Sequence, residues 1–176
     1  MRIYIKGPNG EPLKPDEPST KNKADEMKVH IREILEHMVE LVPPEWEKTG
    51  LYVEIDENNF AYKLVYDLPD SARRMSKKAE QNLYGGRLYD NRRKMLVQAI
   101  RSAYADFAKT GAKWHVMSLV FSENGEYTAQ FYESINMDVS FEERVENWKI
   151  TKYGAKPAEE NISARFIEIH KTNISK

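Results

Sequence analysis

Apolar residues recur along this chain in two rhythms, one of three to four residues and one of two, and the switches between them predict its elements. From Lys23 to Leu41, the residues Met27, Ile31, Ile34, Leu35, Met38 and Leu41 fall on one face of a helix. Pro43-Pro44 stops that helix, because proline lacks an amide hydrogen and disfavours the α conformation in the residue before it. The period then drops to two. Leu51, Val53 and Ile55, then Phe60, Tyr62, Leu64 and Tyr66, alternate with polar residues and predict two strands turning at Asn58-Asn59. That turn sets Ile55 opposite Tyr62, Val53 opposite Leu64 and Leu51 opposite Tyr66, with Glu54 facing Lys63 on the other side.

Residues 68–89 are basic, broken by Pro69 and Gly85-Gly86, and read as irregular. Asp90 can cap a second long helix to about Lys109, with Leu96, Ile100, Ala103 and Phe107 inward and Thr110-Gly111 as its stop. Trp114, Val116, Met117, Leu119, Val120 and Phe121 are apolar on both faces, as in a central strand covered on both sides. Asn124-Gly125 predicts a two-residue turn with positive φ at both positions. That turn puts Ser122 opposite Tyr127, Val120 opposite Ala129, Ser118 opposite Phe131 and Glu123 opposite Glu126. Ser140 and Glu143 form a capping box for a short helix with Val145 and Trp148 inward, and Gly154 can end the element beyond it. At the ends, residues 1–7 suit a short strand and residues 8–22, with four prolines, a loop. Residues 155–163 read as a linker and 164–170 as a last, peripheral strand.

Hairpins force antiparallel pairing, so the expected fold class is α+β. It is an antiparallel sheet built from two hairpins, with two long helices and one short C-terminal helix packed on it. One domain over 1–176 is expected, with its core in 23–154 and residues 1–22 and 155–176 as peripheral extensions. Lys-Thr-Gly occurs at 48–50 and again at 109–111, each time ahead of a hairpin, which chance or shared turn chemistry explains better than a duplicated unit.

Composition narrows the function. The chain has 176 residues, 40% of them hydrophobic and 31% charged, as in a water-soluble globular protein. No apolar run reaches the ~18 residues that span a bilayer. The N-terminus has no hydrophobic signal region, and with no cysteine the expected location is the cytoplasm. His30, His37, His115 and His170 show no metal spacing, and no P-loop, dinucleotide fingerprint or Gly-x-Ser-x-Gly is present. Lys-Thr-Gly also occurs in penicilloyl-serine transferases, but here no Ser-x-x-Lys accompanies it. No catalysis, cofactor or metal is expected.

Charge is the remaining signal. Net charge is only −1, yet residues 71–109 hold ten Lys and Arg against three acids, whereas 43–70 and 123–146 hold seven acids each. Arg73, Arg74, Arg92, Arg93 and Lys94 could contact phosphates, so a nucleic-acid-binding or regulatory module using 73–94 is one reading. The acids on the hairpins offer another, a surface kept negative for a basic partner. The candidate partner-binding residues are Glu54, Asp56, Glu57, Glu123, Glu126, Glu133 and Asp138.

Three segments together resemble the YezG-like family of bacterial antitoxins, or immunity proteins. They are the first helix running into Val42-Pro43-Pro44-Glu45-Trp46-Glu47-Lys48, the hairpin from Leu51 to Leu68, and Trp114 to Gly154. In the last, the similar positions are Trp114, Asn124-Gly125, Tyr127, Phe131, Asp138, Glu143-Arg144 and Trp148-Lys149, and the resemblance covers residues 27–154. It implies an α+β fold, no catalysis, no cofactor, and a tight cytoplasmic complex with a secreted polymorphic toxin, often a nuclease carrying an LXG-type export domain. Trp46 and Trp148 are expected to anchor the core.

Overall fold

The computed structural model describes residues 18–69, 86–109, 113–154 and 165–168, with 18–24 and 165–168 described by their backbone. The expected strand over 1–7, the linker over 155–163, the second Lys-Thr-Gly beyond Lys109, Arg73, Arg74 and most of the basic stretch lie outside these residues.

The first helix, α1, runs Pro18–Val39. It starts five residues before the expected Lys23, with proline at its opening position, where a missing amide hydrogen removes no helical bond. It ends two residues short of the expected Leu41, and all six predicted inward residues, Met27 to Leu41, are buried. The hairpin β1 (Lys48–Ile55) and β2 (Phe60–Asp67) follows. Its register differs by two residues from the expected one: Ile55 faces Phe60, Val53 faces Tyr62 and Leu51 faces Leu64. The turn sits one residue earlier than expected, at Glu57-Asn58: Asp56 N donates to Asn59 O at 2.9 Å, and the Asp56 carboxylate accepts from the Asn58 and Asn59 amides at 2.7 and 2.8 Å. A shift of two keeps every side chain on its predicted face, but it moves Lys63 from Glu54 to Tyr52.

The second long helix, α2, runs Arg87–Lys109, so Asp90 lies in its first turn rather than at its cap. Leu96, Ile100 and Ala103 are buried and Phe107 is half-buried. It leads to β3 (Val116–Ser122) and β4 (Tyr127–Tyr132). Gly125 has φ of 85°, but no described residue other than glycine has positive φ, so Asn124 does not share the expected two-residue turn. Ser122 N donates to Glu126 O at 2.9 Å and the Gly125 amide to Ser122 O at 3.0 Å, closing a three-residue loop with glycine in the left-handed region. The Asn124 side chain instead accepts from the Glu126 amide at 3.0 Å. Phe121 therefore faces Tyr127, Leu119 faces Ala129 and Met117 faces Phe131, one residue from the expected register. The slip is favourable, since it sets apolar residues against apolar ones where Ser122 and Ser118 had been expected. It also takes Glu123 into the loop, so Glu123 and Glu126 do not form the opposed pair.

The short helix α3 (Phe141–Trp148) carries the capping box as predicted, with Ser140 Oγ accepting from the Glu143 amide and Glu143 accepting from the Ser140 amide. It runs on into a π-helical turn, Lys149–Tyr153, ended by Gly154 at φ 78°. A four-residue strand, β5 (Arg165–Glu168), falls inside the expected last strand and pairs with β2. Strand order is β4-β3-β1-β2-β5, antiparallel throughout, so β1 rather than β3 is the middle strand. The fold is α+β.

One face of the sheet, with Leu51, Val53, Tyr62, Leu64, Met117 and Leu119, packs against α1 and α2. The other, with Tyr52, Val65 and Val116, packs against Val145, Trp148 and Tyr153 of α3 and the π turn. Trp148 is anchored as expected, its indole N–H donating to Ser118 Oγ at 2.7 Å. Gly50 makes that second layer possible. A Cβ there would lie 2.5 Å from the Tyr153 ring and 3.0 Å from Trp148.

Because both rings are wedged between strand and helix, Gly50→Ala is expected to lower stability by about 1–3 kcal/mol, as overpacking does. Urea unfolding measures it. A midpoint equal to that of the parent would show that Tyr153 does not rest on β1.

Candidate functional site

The seven acids singled out in the sequence do not form one cluster. Glu54 points into the second layer and is only 7% exposed. Its carboxylate takes Arg144 Nε at 2.5 Å and Nη2 at 2.8 Å, a fork-on-fork pair, and also accepts from Tyr52 Oη at 2.8 Å. The remaining guanidinium nitrogen of Arg144 donates to the carbonyls of Asn136 and Val139. Burial first, and the adjacent Glu54 charge second, push the Tyr52 phenol well above its ordinary pKa, so it stays a donor to the carboxylate. Glu54 thus belongs to the interior, where it fixes α3 and the loop before it onto β1, and it is not a surface contact.

The other six acids divide between the two ends of the sheet. β3 runs antiparallel to β1, with Lys48 beside Ser122 and Glu54 beside Val116. The β3–β4 loop therefore emerges at the start of β1, and the β1–β2 loop at its finish. Eight residues of β1 separate the ends, which at strand rise is roughly 25 Å. At one end lie Glu123 and Glu126, both exposed, with Glu123 N donating to Glu47 O at 2.9 Å. At the other lie Asp56 and Glu57 in the β1–β2 loop, and Glu133 just beyond Tyr132, which is beside Val116. Asp138 is exposed on the loop that carries Asn136 and Val139 to Arg144.

Asp56 is half-buried, which by itself would raise its pKa, but bonds from the Asn59 side chain and the Asn58 and Asn59 amides hold it below the ordinary carboxylate value. It remains charged while serving its turn. Glu57, Glu123, Glu126, Glu133 and Asp138 carry their charges on loops seated on a buried sheet.

Beside the β3–β4 loop the structure has a feature that charge and periodicity did not suggest. A groove of about 570 Å³ opens between α1 and this hairpin, floored by Leu35, Val39, Trp46, Phe121 and Tyr127. Trp46 and Phe121 lie 5.2 Å apart, ring centre to ring centre. Trp46 is half-buried, so it forms a wall as well as an anchor. The only sequence hint was Trp46 itself, an aromatic in the turn after Pro43-Pro44.

Two of the described basic residues of α2 are tied to the fold. Arg92 donates to Glu40 O at 3.1 Å, tying α2 to the end of α1, and Lys94 is exposed. Arg101 lies over the Phe60 ring at 5.1 Å. His30 contacts Asp106 and His37 contacts Glu40. Among the described residues no group of three or more His, Cys, Asp or Glu could hold a metal ion, and no helix is long and apolar enough to cross a membrane.

Against known proteins, a family model described as "Immunity protein YezG-like" matches residues 27–168, a span that takes in the described sheet, α1 from Met27 on, α2 and α3. No curated protein matches the chain.

The Glu54–Arg144 pair gives a direct check on this arrangement. Arg144→Met leaves a buried carboxylate without its cation and is expected to cost about 3–5 kcal/mol. Glu54→Leu combined with Arg144→Met removes both charges and should be more stable than Arg144→Met alone. Urea unfolding of the two variants decides it. A single variant within about 0.5 kcal/mol of the parent would place the pair in solvent.

Proposed function

The chain belongs to the YezG-like immunity protein family, and on that premise we propose that it binds a cognate secreted toxin, a nuclease, and blocks its nucleic-acid groove. The immunity role comes with the family; the nuclease and the mode of block are the proposal. The observation that carries the reading is the match over residues 27–168, because it covers the whole described sheet with its helices. Charge supports the choice of toxin. A nuclease presents a positive groove to its substrate's phosphates, and carboxylates on rigid loops suit such a groove and speed encounter with it. Glu123 and Glu126 at one end, and Asp56, Glu57, Glu133 and Asp138 at the other, are such carboxylates. In this reading the protein works in the cytoplasm, as a binder without cofactor or catalysis of its own.

The test measures association with the cognate toxin's C-terminal toxic domain across a salt series. Both residues being exposed, Glu123→Gln with Glu126→Gln should change stability by less than about 0.5 kcal/mol. The pair should slow association at low ionic strength, with the gap closing as salt rises. Glu57→Gln with Glu133→Gln examines the other end in the same way. If neither pair alters the rate at any salt concentration, steering by these acids is wrong, and with it the positive groove as target. A toxic domain that is neither bound nor inhibited would overturn the immunity reading itself.

A further inference from the structure

The sheet has two edges of unlike character. β5, at one edge, includes Arg165 and Glu168. Charge is a usual guard of an edge against pairing with another chain. β4, at the other edge, is Tyr-Thr-Ala-Gln-Phe-Tyr, with neither a charge nor a proline. No described strand pairs with its outer side.

The hydrogen-bond pattern says which groups are offered. Glu126 O accepts from Ser122 N, and Tyr132 O from His115 N, so the even-numbered residues of β4 turn their backbone towards β3. Tyr127, Ala129 and Phe131 therefore direct N–H and C=O to the open edge. Their side chains lie on the α1/α2 face, where Tyr127 and Phe131 are only partly covered and Phe107 stacks on Phe131 at 6.5 Å. On the opposite face Tyr132 is 40% exposed. Apolar surface thus flanks the open backbone on both faces. Glu126 immediately precedes the strand and Glu133 immediately follows it.

We propose that the outer edge of β4 is the toxin's docking site and accepts an extended toxin segment as a sixth strand. The segment carries apolar residues at alternate positions and Lys or Arg at both ends. Backbone bonding at Tyr127, Ala129 and Phe131 supplies the pairing, while Glu126 and Glu133 select the basic ends. The inference rests on the immunity reading above. Charge argues against a second copy of this chain as occupant. Antiparallel pairing of β4 with itself brings Glu126 of each copy within one position of Glu133 of the other, at both ends, and like charges there repel. Tyr127 also lines the groove beside Trp46.

Amide hydrogen exchange on the full chain, alone and with the cognate toxin's C-terminal toxic domain, tests the proposal. In the free protein the amides of Tyr127, Ala129 and Phe131 should exchange quickly and those of Thr128 and Gln130 slowly. In the complex the first three should become protected by about tenfold or more. Glu126→Lys with Glu133→Lys should leave the fold intact and weaken the complex by about tenfold, the scale of several exposed charge contacts reversed. A complex that forms with unchanged exchange at the three amides overturns the edge and leaves the immunity reading standing. Protection in the free protein also overturns it, assigning the edge to a second copy if the protein is dimeric and to this chain itself if monomeric. A toxic domain that neither binds nor is inhibited removes the immunity reading and the edge together.

Discussion

The middle strand of the sheet is buried on both faces, and the structure follows from how its second face is closed. Leu51, Val53 and Ile55 meet the two long helices, a packing that any amphipathic helix pair supplies. Gly50, Tyr52 and Glu54 meet a single helix of eight residues and one π-helical turn. So short an element cannot hold itself on a sheet by helix propensity. Three specific fits hold it: the gap at Gly50 under Tyr153, the indole bond from Trp148 to Ser118, and the fork of Arg144 on Glu54. The last is the most demanding, because a buried carboxylate without its cation is strongly unfavourable. It also fixes the loop between β4 and α3, through the two carbonyls that Arg144 gathers, and so sets where Asp138 can stand.

Features encoded over a few neighbouring residues were legible in the sequence. The inward faces of α1 and α2, the alternation of both hairpins, the Ser140/Glu143 capping box and the stop at Gly154 are all local patterns, and each is where the pattern put it. Registers were less legible. At Asp56 and Asn124 a polar side chain bonds the backbone two residues on, which sets the first turn one residue earlier than expected and gives the second a third residue. The result is a shift of two in one hairpin and of one in the other. In the second, core packing decided: the shift brings Met117, Leu119 and Phe121 onto the face already occupied by Ala129 and Phe131.

The candidate site was harder to read, because its logic is long-range. Glu54 alternates with Asp56 in sequence and looked like one more surface acid, but its partner lies 90 residues away. The split of the acids between two ends depends on which strand neighbours β1, and no hairpin reveals that. Once the order β4-β3-β1-β2-β5 is known, the charges become intelligible. One open edge runs between two acidic ends, with an aromatic groove at one of them. The YezG-like match gives the chain a class of partner.

The measurement that bears most directly on this account is survival of cells making the cognate toxin's C-terminal toxic domain, with and without the full chain. Restored growth, together with recovery of the two proteins as one complex, is the predicted result. Cells that die while both proteins are made and folded would contradict it.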